Sequence, residues 1–224
     1  MAPDNPFLPL LIDMTGRKIV IFGGGSVGER KTLLFSRYAD VTVISRHFSP
    51  AILDVSGRDN VHLVTADAGK LSDSEIHDLI DGAFVVIPAT NQRDINENIS
   101  SLAKEKNILT NQVDAIGDIT VPSVIKRGDL IISISTSGSS PAFSRFVRQK
   151  VESVITPEFE GMIKIQENLR EYLKENVPDQ KDRKELLWDV LESEDVWSAL
   201  GESYDKGFNI AQGIVTEKIN EKVR

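Results

Sequence analysis

The sequence predicts a doubly wound parallel α/β sheet domain, followed by a small α+β module and a C-terminal helical domain. Three observations predict this. Short β-branched apolar runs alternate with helical patterns through the first half of the chain, a glycine cluster separates the first run from the first helical pattern, and amphipathic helices take over from Pro141. The expected modules are 1–115, 116–150 and 151–224.

The strands of the first module are expected at "KIVIF" (18–22), "VTVIS" (41–45), "VHLVT" (61–65), "AFVVIPA" (83–89) and "ILTNQV" (108–113). Between the first two lies a helical pattern with Val27, Leu33 and Leu34 as apolar positions, and further helical stretches cover 72–80 and 94–106. Strands alternating with helices favour right-handed crossovers in one parallel sheet, with ligands beyond the strands' carboxyl ends. After Asp114 the pattern changes. "DITVPSVIKRGDLIISISTSG" holds two β-like stretches separated by "KRGD", which suits an antiparallel hairpin. Helices are then expected at 141–154, 158–175, 181–199 and 202–222, with "VPDQKD" (177–182) as a connector and Trp188, Trp197, Tyr204 and Phe208 forming one buried stripe.

Composition narrows the function. Of 224 residues, 40% are hydrophobic and 27% charged, which is ordinary for a globular protein. No apolar run is long enough to span a bilayer, and the first residues lack the basic start of a secretory signal, so a cytoplasmic protein without a membrane segment is expected. The absence of cysteine excludes disulfides, thiolate catalysis and cysteine-bound metals. A net charge of −8 argues against nucleic acid as a partner. Against that acidic background, residues 121–150 hold five basic side chains and a single acidic one.

Gly23, Gly25 and Gly28 form a GxGxxG pattern straight after a strand and at the opening of a helix. In that position the first glycine permits a tight turn, the second lets a pyrophosphate approach the backbone, and the third lets helix and strand pack closely. Gly24 lies in the same loop, and the helix that follows offers unpaired amides to phosphates. In its βαβ context the pattern points to a Rossmann-like dinucleotide-binding domain, against the alternative of a tight structural turn. One part of the fingerprint is missing. The acidic residue expected about 20 positions on, to hold the adenosine ribose, is replaced by Ser45, Arg46 and His47. Arg46 suits a 2′-phosphate or a stacked adenine, and its bland reading is a solvated surface arginine, so these residues leave NAD and NADP both open. His47, His62 and His77 are scattered without ligand spacing, and no metal site is expected.

The glycine-rich opening "FLPLLIDMTGRKIVIFGGGSVGERKTLL", together with "PATNQRDIN" (88–96), "NQVDAIGDITVPSVIKRG" (111–128) and "SISTSGSSPAFSRFVRQKVE" (133–152), resembles the siroheme-synthase family of precorrin-2 dehydrogenases. The likeness covers about residues 7–152 in order, and the helical tail resembles the family in length and helicity only. It implies oxidation of precorrin-2 to sirohydrochlorin with NAD, by a homodimer whose small α+β module makes the dimer. Some members also insert ferrous ion into the product, an activity left open here.

The resemblance also implies roles for residues. Ser26 and Val27 would meet the pyrophosphate, His47 and Phe48 the adenosine, and Ala89, Thr90 and Asn91 the nicotinamide half. Asp114 would be catalytic, taking the proton that must leave when a hydride is removed from the neighbouring carbon. The hydroxyl-rich segment with Thr136, Ser137 and Ser140 would line the tetrapyrrole region; it reads "TSG" where relatives read "SGG", which sets aside phosphoregulation here. Precorrin-2 carries eight carboxylates, and Arg127, Arg145 and Arg148 of the basic segment, with Lys126 and Lys150 nearby, suit carboxylate recognition. The same arginines could equally make ordinary ion pairs. A rival reading is a Rossmann-type sensor that binds a redox ligand without turnover.

Overall fold

The computed structural model describes residues 7–112 and 117–223. The chain divides after Val121 into two compact units.

The first unit holds strands β1 (Lys18–Phe22), β2 (Asp40–Ser45), β3 (Val61–Thr65), β4 (Ala83–Pro88) and β5 (Leu109–Thr110) in the order β3-β2-β1-β4-β5. Every pairing is parallel. Helices α1 (Ser26–Phe35), α2 (Pro50–Val55), α3 (Asp73–Ile80) and α4 (Arg93–Glu105) connect them. Alternation along β1 explains why the sheet needs helices on both sides. Val20 and Phe22 pack with Ile76 and Ile80 of α3 and Ile99 and Leu102 of α4. Ile19 and Ile21 belong to the other cluster, with Phe35 of α1 and Ile52 of α2. A strand buried on both faces reads as an unbroken apolar run, which is what "IVIF" is. Chain order turns back between β1 and β4, so the connections after these two strands diverge and leave a crevice at their carboxyl ends.

In this unit α2 and β5 differ from the sequence expectation. α2 was not anticipated: it is six residues long, too short for a periodic signal, yet Ser49 caps it by accepting from the Ile52 amide and Pro50 opens it. Among the described residues of the strand expected at 108–113, which excludes 113 itself, β5 covers Leu109–Thr110, the two that pair with β4.

The second unit opens with an antiparallel hairpin of β6 (Ser123–Arg127) and β7 (Leu130–Ile134), turned at Gly128 with φ +57°. Helices α5 (Pro141–Glu152), α6 (Glu158–Asn176), α7 (Gln180–Glu192), α8 (Glu194–Glu202) and α9 (Tyr204–Val223) follow. Met162, Ile165, Leu169 and Leu173 line one face of α6 at helical spacing and pack against Leu186, Val190, Val196, Leu200, Ala211 and Val215. The helix expected over 181–199 is broken at Ser193, whose hydroxyl accepts from the Val196 amide and starts α8 afresh. The proposed aromatic stripe is corrected accordingly. Trp197, Tyr204 and Phe208 pack against the core, but Trp188 is 56% exposed and donates its indole N–H to Glu192, because it stands on the outer face of α7.

Among the described residues, no helix is long and apolar enough to cross a membrane.

Candidate functional site

The parallel register brings the strand ends together. Phe22 is level with Ile44 and with Pro88, and Ser45 with Thr65, so the residues just beyond β1, β2, β3 and β4 share one edge. They enclose a cleft of about 410 Å³. Gly23, Gly24, Gly25, Ser26 and Val27 form one wall, Arg46 and Asp67 another, and Ala89, Thr90 and Asn91 a third.

Each glycine of the loop has a distinct steric reason. Gly23 sits at φ +122°, and a Cβ there would lie 2.3 Å from the Ala89 carbonyl oxygen. At Gly24 a Cβ would lie 2.2 Å from the His47 carbonyl oxygen, and at Gly28 it would meet the Gly23 carbonyl oxygen at 1.8 Å. Gly25 is different, since a Cβ there would meet nothing within 4 Å. The space in front of Gly25 is therefore the open floor of the cleft. Gly25 also caps α1 without a side-chain hydrogen bond, which leaves the first-turn amides free of a cap and suited to a pyrophosphate.

The opposite wall is held by Asn96 of α4. Its Oδ1 accepts from the Thr90 amide at 3.0 Å and lies 2.7 Å from the Thr90 hydroxyl, and its Nδ2 donates to the Thr90 carbonyl at 3.0 Å. The Ala89 amide donates to the Phe22 carbonyl at 2.7 Å. This turn is thus tied both to β1 and to α4.

Nine of the expected cofactor residues line the cleft together: Gly23, Gly24, Gly25, Ser26, Val27, Arg46, Ala89, Thr90 and Asn91. Three stand apart from the lining. Gly28 is buried beneath the loop, His47 is exposed and touches the loop through its backbone, and Phe48 packs against the core beside Ile19 and Ile21. Sequence reasoning missed Asp67, Gln92 and Asn96. Asp67 stands two residues past β3 and Arg46 one past β2, so the strand pattern already held the signal for it.

At the end of β5, residues on either side of the segment containing Asp114 are drawn together. Thr110 donates from its amide and its hydroxyl to Asp118 Oδ2, at 2.9 and 2.8 Å. Asn111 donates to the Ile119 carbonyl at 3.0 Å and accepts from Lys31 Nζ at 2.6 Å. Burial, helped by the nearby Arg30, holds the Lys31 ammonium below its ordinary pKa. Asp114 itself lies outside the described residues.

In the second unit, the candidate substrate residues are partly engaged. Thr136 accepts from the Ser140 amide at 3.0 Å and its hydroxyl lies 3.1 Å from that of Ser144, while Ser140 caps α5 by accepting from Phe143. Ser137 takes a left-handed φ of +52° and donates its amide to the Ser135 hydroxyl. Arg127 and Arg148 both reach Glu152, and Arg127 also donates to the Ile155 carbonyl. Arg145 is exposed on the same helix as Arg148. Among the described residues, no cluster of three or more His, Asp or Glu is placed to hold a metal.

The fold and the cleft define a dinucleotide-binding protein of the doubly wound α/β class. Residues 10–123 match the family model described as "Putative NAD(P)-binding", and residues 127–153 match "Sirohaem biosynthesis protein central". A precorrin-2 dehydrogenase of Methanosarcina barkeri is 52% identical over 216 residues, 96% of each chain. Siroheme synthase 1 of Klebsiella pneumoniae is 34% identical over 152 residues, 66% of this chain and 31% of that one. The solved structure titled "SirC, precorrin-2 dehydrogenase" superposes with a TM-score of 0.73 over 96% of this chain and 100% of its own, at 19% identity, which shows the fold. The chain belongs to the precorrin-2 dehydrogenase family.

Proposed function

We propose that this protein oxidises precorrin-2 to sirohydrochlorin in siroheme biosynthesis, with NAD as the hydride acceptor. The observation that carries this reading is the glycine-floored cleft at the carboxyl edge of the sheet, in a chain related along nearly its whole length to a precorrin-2 dehydrogenase. Bound NAD supplies the acceptor for two electrons and one hydrogen, and the macrocycle must also release a proton. The loop residues Ser26 and Val27 hold the pyrophosphate, and the Thr90 turn, locked by Asn96, walls the nicotinamide half. Asp114 takes the proton, because a carboxylate is able to accept the proton such an oxidation releases and its segment follows β5. Arg145, with Arg127 and Arg148 of the same basic segment, meets the substrate's carboxylates, and Thr136, Ser137 and Ser140 lie along the macrocycle.

The working form is a homodimer in the cytoplasm. Support for the dimer comes from Val124 and Ile131 on the hairpin and Phe143 and Phe146 on α5, all large apolar side chains that this single chain leaves exposed.

The test is to supply purified protein with precorrin-2 and NAD+ and to follow NADH and sirohydrochlorin absorbance together. Turnover is expected, and its loss in Asp114→Ala with NAD+ binding retained assigns the base. Stoichiometric binding without NADH would replace the enzyme by a sensor. Adding ferrous ion to the same reaction reports whether metal insertion follows.

A further inference from the structure

We infer that Asp67, delivered from β3, supplies the acidic group that β2 lacks and selects NAD over NADP. This rests on the dehydrogenase reading and deepens its cofactor assignment. The parallel pairing places Ser45 opposite Thr65, and the Ala66 amide donates to the Ser45 carbonyl at 3.1 Å. The chain beyond β3 is thereby laid beside the chain beyond β2, and Asp67 comes up against Arg46 in the wall of the cleft.

The Asp67 carboxylate is oriented. Its Oδ1 accepts from the Gly69 amide at 3.2 Å, capping the short 3₁₀ turn of Ala68–Lys70, and its Oδ2 lies 3.8 Å from Arg46 Nη1. Its side chain is 23% exposed against 60% for Arg46, so the anion is the better shielded of the two. An adenosine ribose with both hydroxyls free is a double donor, and a fixed carboxylate is its natural acceptor. A 2′-phosphate reverses this. It brings negative charge and acceptor oxygens toward a carboxylate, and the cation beside it, Arg46, is already shared with Asp67. Arg46 alone would read as a phosphate anchor; the pair reads as a filter against one.

The full-length chain is titrated calorimetrically with NAD+ and with NADP+, without precorrin-2. Wild type is expected to favour NAD+. Asp67→Asn and Asp67→Ser each keep an oxygen for the Gly69 amide, and each should shift the NAD+/NADP+ affinity ratio toward NADP+ by about tenfold or more. Adding Arg46→Ala to Asp67→Asn should cancel the gain in NADP+ affinity. A wild type without preference, or an unchanged ratio in the Asp67 variants, overturns the inference; should both Asp67 variants fail to fold, wild-type affinity for the 2′-deoxyadenosine analogue of NAD+ decides it, a value equal to that for NAD+ overturning the inference. Precorrin-2 oxidation by wild type is measured in parallel. If it proceeds with NAD+ while the ratio is unmoved, only the role of Asp67 falls; if it is absent, the dehydrogenase reading falls.

Discussion

Lys31 Nζ donates to Asn111 Oδ1 at 2.6 Å across 80 residues of chain. The bond joins α1, whose first turn borders the cleft, to the end of β5, where the segment leading to Asp114 begins. Asn111 is 4% exposed and also donates to Ile119. Asn111→Ala would leave the Lys31 ammonium and the Ile119 carbonyl without this partner. The expected loss is about 1–3 kcal/mol of unfolding free energy in urea titration, with a fall in kcat exceeding any change in NAD+ affinity.

The same lysine predicts a pH effect. Burial lowers its folded pKa below the ordinary 10.5, so between those two values the unfolded chain binds more protons than the folded one. Stability contributed at this site therefore rises as pH climbs through the folded pKa toward 10.5. Lys31→Met should abolish that rise. Denaturation midpoints of both proteins from neutral pH to about 10 would show it; parallel profiles would refute it.

Gly23→Ala and Gly25→Ala should separate folding from binding. Alanine at Gly23 meets the Ala89 carbonyl oxygen at 2.3 Å in a left-handed backbone, so a loss of at least about 1–3 kcal/mol is expected, together with loss of NAD+ binding. Alanine at Gly25 meets nothing within 4 Å. It should leave the thermal midpoint nearly unchanged while weakening NAD+ binding tenfold or more, to about the level one lost phosphate contact implies.

Asn96→Ala should loosen the wall formed by the Thr90 turn. Up to three hydrogen bonds are removed at one partly buried side chain. NAD+ affinity should fall by about tenfold, roughly the worth of one or two net hydrogen bonds, and Asn96→Asp should not restore it, since the Thr90 carbonyl would face an anion.

Glu152→Gln should distinguish structural from substrate-binding arginines. Arg127 and Arg148 both reach this carboxylate. Freed from it, they should lower the KM for precorrin-2 if they serve its carboxylates. The stability cost should stay within about 1 kcal/mol, as for other partly exposed pairs. An unchanged KM would make them braces of α5 alone.

The central strands β1 and β4 were legible as unbroken apolar runs because a sheet covered on both faces demands them, β2 and β3 as short β-branched runs, and the glycine loop because a tight turn onto a helix demands glycine. α2 and the break at Ser193 were hidden for an opposite reason: both are decided by one capping serine, and the surrounding periodicity says nothing about it. Trp188 misled because aromatic spacing cannot tell which face of a helix meets the core; that depends on where α6 and α9 pack.

By itself, the sequence determined the class of fold, the glycine-rich loop and the family, since each is written in local residue types at short spacing. Tertiary structure alone decided that Asp67 stands beside Arg46, that Asn96 locks the Thr90 turn and that Lys31 reaches Asn111. Such pairs are made by strand register and helix docking, which join positions far apart in the chain, and no local preference of either residue specifies its partner.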